Sequence, residues 1–235
     1  MLFPFEARPP AQDLVRRVQP GGEWVLRRRT LGDAPPRLEL VFNGRLLMDT
    51  ADGASEAALA EAGLRRCAGL GPLQVLVAGL GFGFTLGAAL RDPRVAGVEV
   101  VELEPALADV LAAPEIRTHL ATFDPADPRL RFTFGDVADR LRAPADPVDC
   151  ILLDVDNGPE ALSAAANGAL YTERGLAACR RALRPGGALA VWSSEPSPRC
   201  LAALRAVFGE AEEDRVPVVR DGRRIEYRIL SARAP

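Results

Sequence analysis

The chain contains no lysine; all 29 of its basic residues are arginines. That excludes Schiff-base chemistry and a phosphate-binding P-loop, both of which need a lysine amine, and it is the mark of a GC-rich genome. Histidine is almost as scarce. His119 is the single one, set in a proline-punctuated stretch between Pro114 and Pro128, and it reads as a surface residue, not as a metal ligand or general base. The four cysteines, Cys67, Cys150, Cys179 and Cys200, form no CxxC pair. This speaks against a zinc site and a disulfide scaffold and fits the reducing cytoplasm; no metal is expected. No apolar run reaches the roughly 20 residues of a membrane span, and the first eight residues lack the order of a signal peptide. An excess of one charge is missing too. The 29 basic and 32 acidic residues leave a net charge of −3, without the basic surplus of a nucleic-acid or membrane-surface binder.

What is present is an ordinary globular composition, 48% hydrophobic over 235 residues, enough for one core domain with an appendage. Residues 1–54 read as a small β-rich domain. Within it, Arg37 to Phe42 and Arg45 to Asp49 flank Asn43-Gly44, a pair suited to the positive φ angles of a tight hairpin turn. The triple Arg27-Arg28-Arg29 reads as one exposed face of that unit. Residues 55–235 read as an α/β domain. Ser55 to Cys67 is Ala/Leu/Glu-rich and predicts a helix. Apolar runs follow at Leu73–Ala78, Val95–Leu103, Arg131–Phe134, Asp149–Leu153 and Ala188–Ser193, with helical stretches between them, including Leu170 to Leu183. Arg184-Pro185-Gly186-Gly187 reads as a tight turn. Strands alternating with helices predict a doubly wound, mostly parallel Rossmann-like sheet. Arg215–Arg220 and Arg224–Ser231, around Asp221-Gly222, add a C-terminal antiparallel hairpin.

In such a sheet, ligands bind beyond the carboxyl ends of the strands. The first strand runs into Gly79-Leu80-Gly81-Phe82-Gly83, and glycines there let a backbone approach a ligand and turn into a helix. The second ends at Glu102 and Glu104. Glu104 lies 21 positions after Gly83, near the offset of about 20 at which an acid meets ribose hydroxyls, with Glu102 the competing carboxylate. The third leads to Gly135-Asp136, where Asp136 either accepts from an adenine amine or caps a helix. The fourth ends at Asp154, followed by Asp156 and Asn157. The dinucleotide pattern GxGxxG is not met, because Phe84 and Leu86 occupy the third-glycine position.

A GxGxG loop, then an acid, then Gly-Asp, then a strand ending in Asp resembles the class I S-adenosylmethionine-dependent transferases. More narrowly, GVEVVELEP (Gly97–Pro105), Gly135-Asp136, Asp149–Asp154 with Gly158-Pro159, and Leu170-Tyr171 resemble the polyamine aminopropyltransferases, the spermidine synthase family. The resemblance implies a donor, S-adenosylmethionine or its decarboxylated form, held by Gly79, Gly81, Gly83, Glu104 and Asp136. It implies Asp154 as proton acceptor for an attacking small-molecule amine. Apart from the resemblance, Asp156 reads as a charge partner for a cationic acceptor, with Asn157 and Tyr171 as further candidates on the acceptor side. Three departures are visible. Leu80 and Phe82 interrupt the family's Gly-Gly-Gly-Asp-Gly-Gly loop. Val155, Asp156, Asn157 and Gly158 replace its two hydroxyl residues and Asp-Pro, and its Tyr-Gln-Glu…His segment falls on Ser55–Ala62. A small-molecule methyltransferase and an inactive nucleoside-binding protein are the alternative readings. An open-edged N-terminal hairpin also invites a homodimer through strand pairing.

Overall fold

The computed structural model describes residues 11–19, 22–31, 34–67, 69–117, 120–142, 146–155, 158–160, 165–220 and 223–235. Four strands open the chain: β1 (Ala11–Gln19), β2 (Gly22–Leu31), β3 (Ala34–Phe42) and β4 (Arg45–Asp49). They form an antiparallel sheet in that order, so the unit is a four-stranded meander and larger than the expected hairpin. The turn between β3 and β4 is the expected one, with Asn43 at φ 49° and Gly44 at φ 75°. β1 was hidden because its pairing with β2 is interrupted between Asp13 and Val15, and an extra residue breaks the apolar–polar alternation.

The arginine triple is not an exposed face. Alternation puts Arg27 and Arg29 on the same side of β2 as Glu39 of β3, directly across from Arg27. Arg27 Nε donates to Glu39 at 2.5 Å and Arg29 Nε at 2.6 Å, with Arg29 and Glu39 both buried. Burial alone would raise the Glu39 carboxyl; hydrogen bonds and charge from Arg29 and Arg27 outweigh it and hold that carboxyl below its usual range.

The second sheet has seven strands: β5 (Leu73–Ala78), β6 (Val95–Glu102), β7 (Leu130–Phe134), β8 (Val148–Leu153), β9 (Leu183–Ser193), β10 (Glu212–Arg220) and β11 (Arg223–Arg233). Their order is β10-β11-β9-β8-β5-β6-β7, with β5 to β9 parallel and β11 antiparallel to both its neighbours. The last strand is therefore inserted between β9 and β10 and does not lie at the edge. Residues 184–187 are not a turn before a strand but an excursion inside β9, since Val148 pairs with Leu183 and Cys150 with Ala188.

Helices cover both faces. α1 (Ala54–Arg66), α2 (Phe84–Arg91) and α3 (Pro105–Ala112) share one apolar cluster with Val75, Val77, Val98, Val100, Cys150, Leu152 and Ala190. Leu26, Leu38 and Leu40 of the small sheet join the same cluster. α5 (Val137–Arg142), α6 (Glu173–Ala182) and α7 (Pro198–Phe208) pack on the other face against Leu76, Ile151, Leu153 and Val191; α4 (Pro114–Arg117) is a single turn. The helix expected from Leu170 to Leu183 splits: a 3₁₀ segment, Ala165–Tyr171, precedes α6, whose Thr172 hydroxyl accepts from the Gly175 N–H as an N-cap. Among the described residues no helix is long and apolar enough to cross a membrane.

Candidate functional site

β6 and β7 leave β5 in one direction, β8 and β9 in the other, so the sheet reverses its winding between β5 and β8. A crevice opens at such a switch point, beyond the carboxyl ends of the strands. Two segments meet across it. The Asp154 N–H donates to Ala78 O at 2.9 Å, and Gly79, at φ 89°, lies so close that a Cβ there would stand 2.3 Å from Asp154 O. Only glycine permits that approach at that backbone angle.

The rest of the glycine loop is shaped by neighbours as well. Leu80 and Phe82 are buried and anchor it to the core. Gly81 lies under Met48 of β4. Gly83, in the left-handed region at the start of α2, has the Phe123 ring where a Cβ would stand, and Thr122 Oγ1 donates to Phe82 O at 2.7 Å. That packing alone accounts for a glycine at position 83.

Strand alternation decides which side chains reach the crevice. Residues 98, 100 and 102 of β6, 150 and 152 of β8 with 154 just past its end, and 188, 190 and 192 of β9 point to the α1–α2 face. Glu102 follows this rule. It is buried, and its carboxylate accepts the Leu80 N–H and the Glu104 N–H, each at 2.8 Å. Burial pushes its carboxyl above the usual value, with the neighbouring Glu104 adding to the rise and the backbone N–H groups opposing it. Glu104 is half-buried one residue before α3 and does not cap that helix with its side chain. Between them, Leu103 is 66% exposed, an apolar side chain held out at the sheet edge. Asp136 is a helix cap: its Oδ1 accepts the Ala138 N–H at 2.7 Å. The Gly135 N–H bonded to Glu102 O at 2.9 Å keeps it beside the second strand.

Asp154 is half-buried at the end of β8, and its Oδ2 accepts the Thr85 hydroxyl at 2.6 Å. Burial lifts its carboxyl to about 7; the charge of Glu56 adds to the lift and the Thr85 bond opposes it. Glu56 stands in the first turn of α1, inside the stretch where the sequence shows no acceptor-site motif. Glu56, Thr85 and Leu103 were missed because their local patterns are those of plain helix starts and a strand end. Tyr171 belongs to the opposite face: its ring is buried in the α5–α7 cluster and its hydroxyl donates to Val155 O at 3.0 Å, steadying the chain just after Asp154. Trp192 packs in the α1-side core against Tyr227, ring centroids 5.1 Å apart. Asp156, Asn157 and His119 lie outside the described residues.

A groove of about 720 Å³ at the amino ends of the strands is lined by Gln74, Glu99, Arg131, Arg140 and Arg184 among others. Its arginines are already matched, since Glu99 holds Arg131 and Arg140 and Asp149 holds Arg184. The crevice at Gly79 and Asp154 lies at the opposite, carboxyl end of the strands.

The strand order, with its inserted antiparallel strand and a glycine loop beside strand-end acids, is that of the class I methyltransferase fold. Within that fold the chain has the form seen in spermidine synthases. The spermidine synthase from Thermotoga maritima superposes with a TM-score of 0.74 at 18% identity, over 95% of this chain and 73% of that one. No profile of a known protein family matches. The polyamine aminopropyltransferase of Nitrosomonas europaea is 38% identical over 146 residues, 59% of this chain and 42% of its own. Polyamine aminopropyltransferase 2 of Streptomyces coelicolor is 33% identical over 182 residues, 77% of this chain and 31% of its own. Putrescine N-methyltransferase 2 of Nicotiana tabacum is 33% identical over 118 residues, 49% of this chain and 31% of its own. The matched regions thus span less than half the length of these relatives.

Proposed function

We propose that the chain is a transferase that passes an alkyl group, aminopropyl in the main reading, from an adenosyl sulfonium donor to a small amine. The observation that carries this is the placement of Asp154 at the switch point, against the glycine loop, with a carboxyl that titrates near neutrality. A donor of this class supplies an electrophilic carbon beside its sulfonium, so the protein's task is to align the partners and take a proton.

The residues fit the nucleoside half of such a donor. The Glu102 carboxylate already accepts backbone N–H groups of the loop and of the residues after it; with roughly four lone-pair positions on a carboxylate, a position remains for a ribose hydroxyl, and Glu104 stands beside it. The exposed face of Leu103 offers apolar cover to a purine, and Asp136 an acceptor for its amine. The loop Gly79, Gly81, Gly83 bounds the other end of the donor. Asp154 receives the proton: the amine lone pair forms the new N–C bond as the C–S bond breaks, its electrons stay on sulfur, and the surplus proton moves from nitrogen to the carboxylate. Asp156 and Asn157, which follow Asp154 in the sequence, are assigned to the acceptor side, and Tyr171, bonded to Val155 O, acts behind it. Residues 1–54 are the small β-rich domain and 55–235 the catalytic domain in this reading. The four cysteines are free and buried, which supports a reducing, cytoplasmic setting. Pairing of the outer strand β1 with a second copy offers a route to a homodimer.

The test is to incubate the protein with putrescine and either donor and read the product by mass. Aminopropyl addition with the decarboxylated donor supports the main reading. Methyl addition with intact S-adenosylmethionine supports the second, favoured by the match to putrescine N-methyltransferases and by the absence of any acid from Gly79 to Gly83. Nucleoside binding with neither product would point to an inactive binder. Asp154→Asn is expected to lower turnover by about 10²–10⁴-fold while nucleoside affinity stays within a few-fold; undiminished turnover would remove Asp154 from the mechanism.

A further inference from the structure

We propose that Thr85 and Glu56 are positioning residues for the proton transfer: Thr85 locks one oxygen of Asp154, and the first turn of α1 sets Glu56 against the same threonine hydroxyl. This rests on the role given to Asp154 above and assigns two residues that neither the sequence pattern nor the likeness to relatives singles out.

The geometry begins with Thr85. It is the second residue of α2, 1% exposed, so its hydroxyl has no water to fall back on and must find a protein acceptor. Two are within reach. Asp154 Oδ2 is 2.6 Å away and the backbone oxygen of Glu56 3.4 Å. A hydroxyl has one proton to give, and the shorter, charge-assisted bond is the stronger. The Thr85 oxygen therefore touches both the proton acceptor and the first turn of α1, and ties α1, α2 and β8 together at one point. With Oδ2 engaged, Oδ1 of Asp154 accepts no hydrogen bond among the described residues, which makes it the atom that receives the proton.

Glu56 supplies the other half. Among the described residues it is the charged group that acts on Asp154; α2 brings the neutral Thr85, and the end of β5 brings only the backbone of Ala78 and Gly79. A like charge disfavours a second carboxylate, whereas a donated hydrogen bond favours it. Thr85 and Glu56 thus pull the basicity of Asp154 in opposite directions, and the balance is what a structural role alone would not reproduce.

The experiment compares Thr85→Val, Thr85→Ser and Glu56→Gln with the parent, following the pH dependence of kcat/KM and, without substrate, the ¹³C carboxyl titration of Asp154. Glu56→Gln is expected to move the acidic limb and the carboxyl titration to lower pH by about half a unit or more, and Thr85→Val to move both to higher pH by a similar amount. Thr85→Ser, which keeps the hydroxyl, is expected to restore the parent titration, and methylthioadenosine affinity to stay within a few-fold in all three. Titrations that stay at the parent position, or that move the same way in Glu56→Gln and Thr85→Val, would overturn the proposal. Opposite carboxyl shifts in a protein that alkylates no amine would uphold the positioning of Asp154 and overturn the transfer reaction instead.

Discussion

At the scale of single residues, two carboxylates are candidates for the proposed ribose contact. Glu102 and Glu104 are both two steps or fewer from the end of β6, and spacing favours Glu104. The structure puts Glu102 on the crevice face and bonds it to the Leu80 N–H of the glycine loop. Glu102→Gln is expected to weaken nucleoside binding by about 1–3 kcal/mol, the value of a hydrogen bond to a charged group, with Glu104→Gln costing less; isothermal titration giving the reverse order would return the ribose to Glu104. Asp154 also has a stability signature. Its folded carboxyl titrates near 7, above the usual 3.8, so between those values the folded chain holds a proton that the unfolded chain has released. Stability therefore falls as pH rises through that window and stays reduced above it. Asp154→Asn is expected to melt higher than the parent at pH 8, by about 2–4 °C for each kcal/mol regained, and to match it near pH 4. Equal melting at pH 8 would mean that water reaches the carboxylate.

At the scale of elements, close approach overrides propensity. Gly87 lies inside α2, where alanine is better by about 1 kcal/mol. A Cβ there would stand 2.0 Å from Thr122 O, so the segment that clasps the loop needs the glycine. Gly87→Ala is expected to destabilise by about 1–3 kcal/mol, measured by urea unfolding, and a stabilised variant would show that the clasp yields freely. The same competition explains which elements were legible. β5, β6 and β8 are mostly apolar, as strands covered on both faces are, and they stand where the pattern placed them. β1 and the 184–187 excursion are invisible because an irregular register removes the periodicity on which such reading depends.

At the scale of the whole molecule, the small sheet is not an independent unit lying on the surface. Leu26, Leu38 and Leu40 share one apolar cluster with Leu59 of α1 and Phe82 of the glycine loop. The opposite side of that sheet holds Arg27, Arg29 and Glu39 in a buried ion cluster. Taking away one partner strands the others without water, at a cost of about 3–5 kcal/mol. Glu39→Gln is expected to lower the melting temperature on that scale, in a single transition because the shared cluster couples the two sheets. A loss below about 1 kcal/mol would show that the arginines find water.

The amino-acid sequence by itself determined the α/β class, the glycine loop and the acids at the strand ends, because these depend on local periodicity and on residues adjacent in the chain. Tertiary structure alone decided that Glu102 holds the glycine loop, that Phe123 packs where a Cβ at Gly83 would stand, that Tyr171 packs on the far face, and that Thr85 meets both Asp154 and the first turn of α1. Each depends on contacts between segments far apart in sequence. Local pattern carries no information about which distant segment will supply the charge, the hydroxyl or the ring.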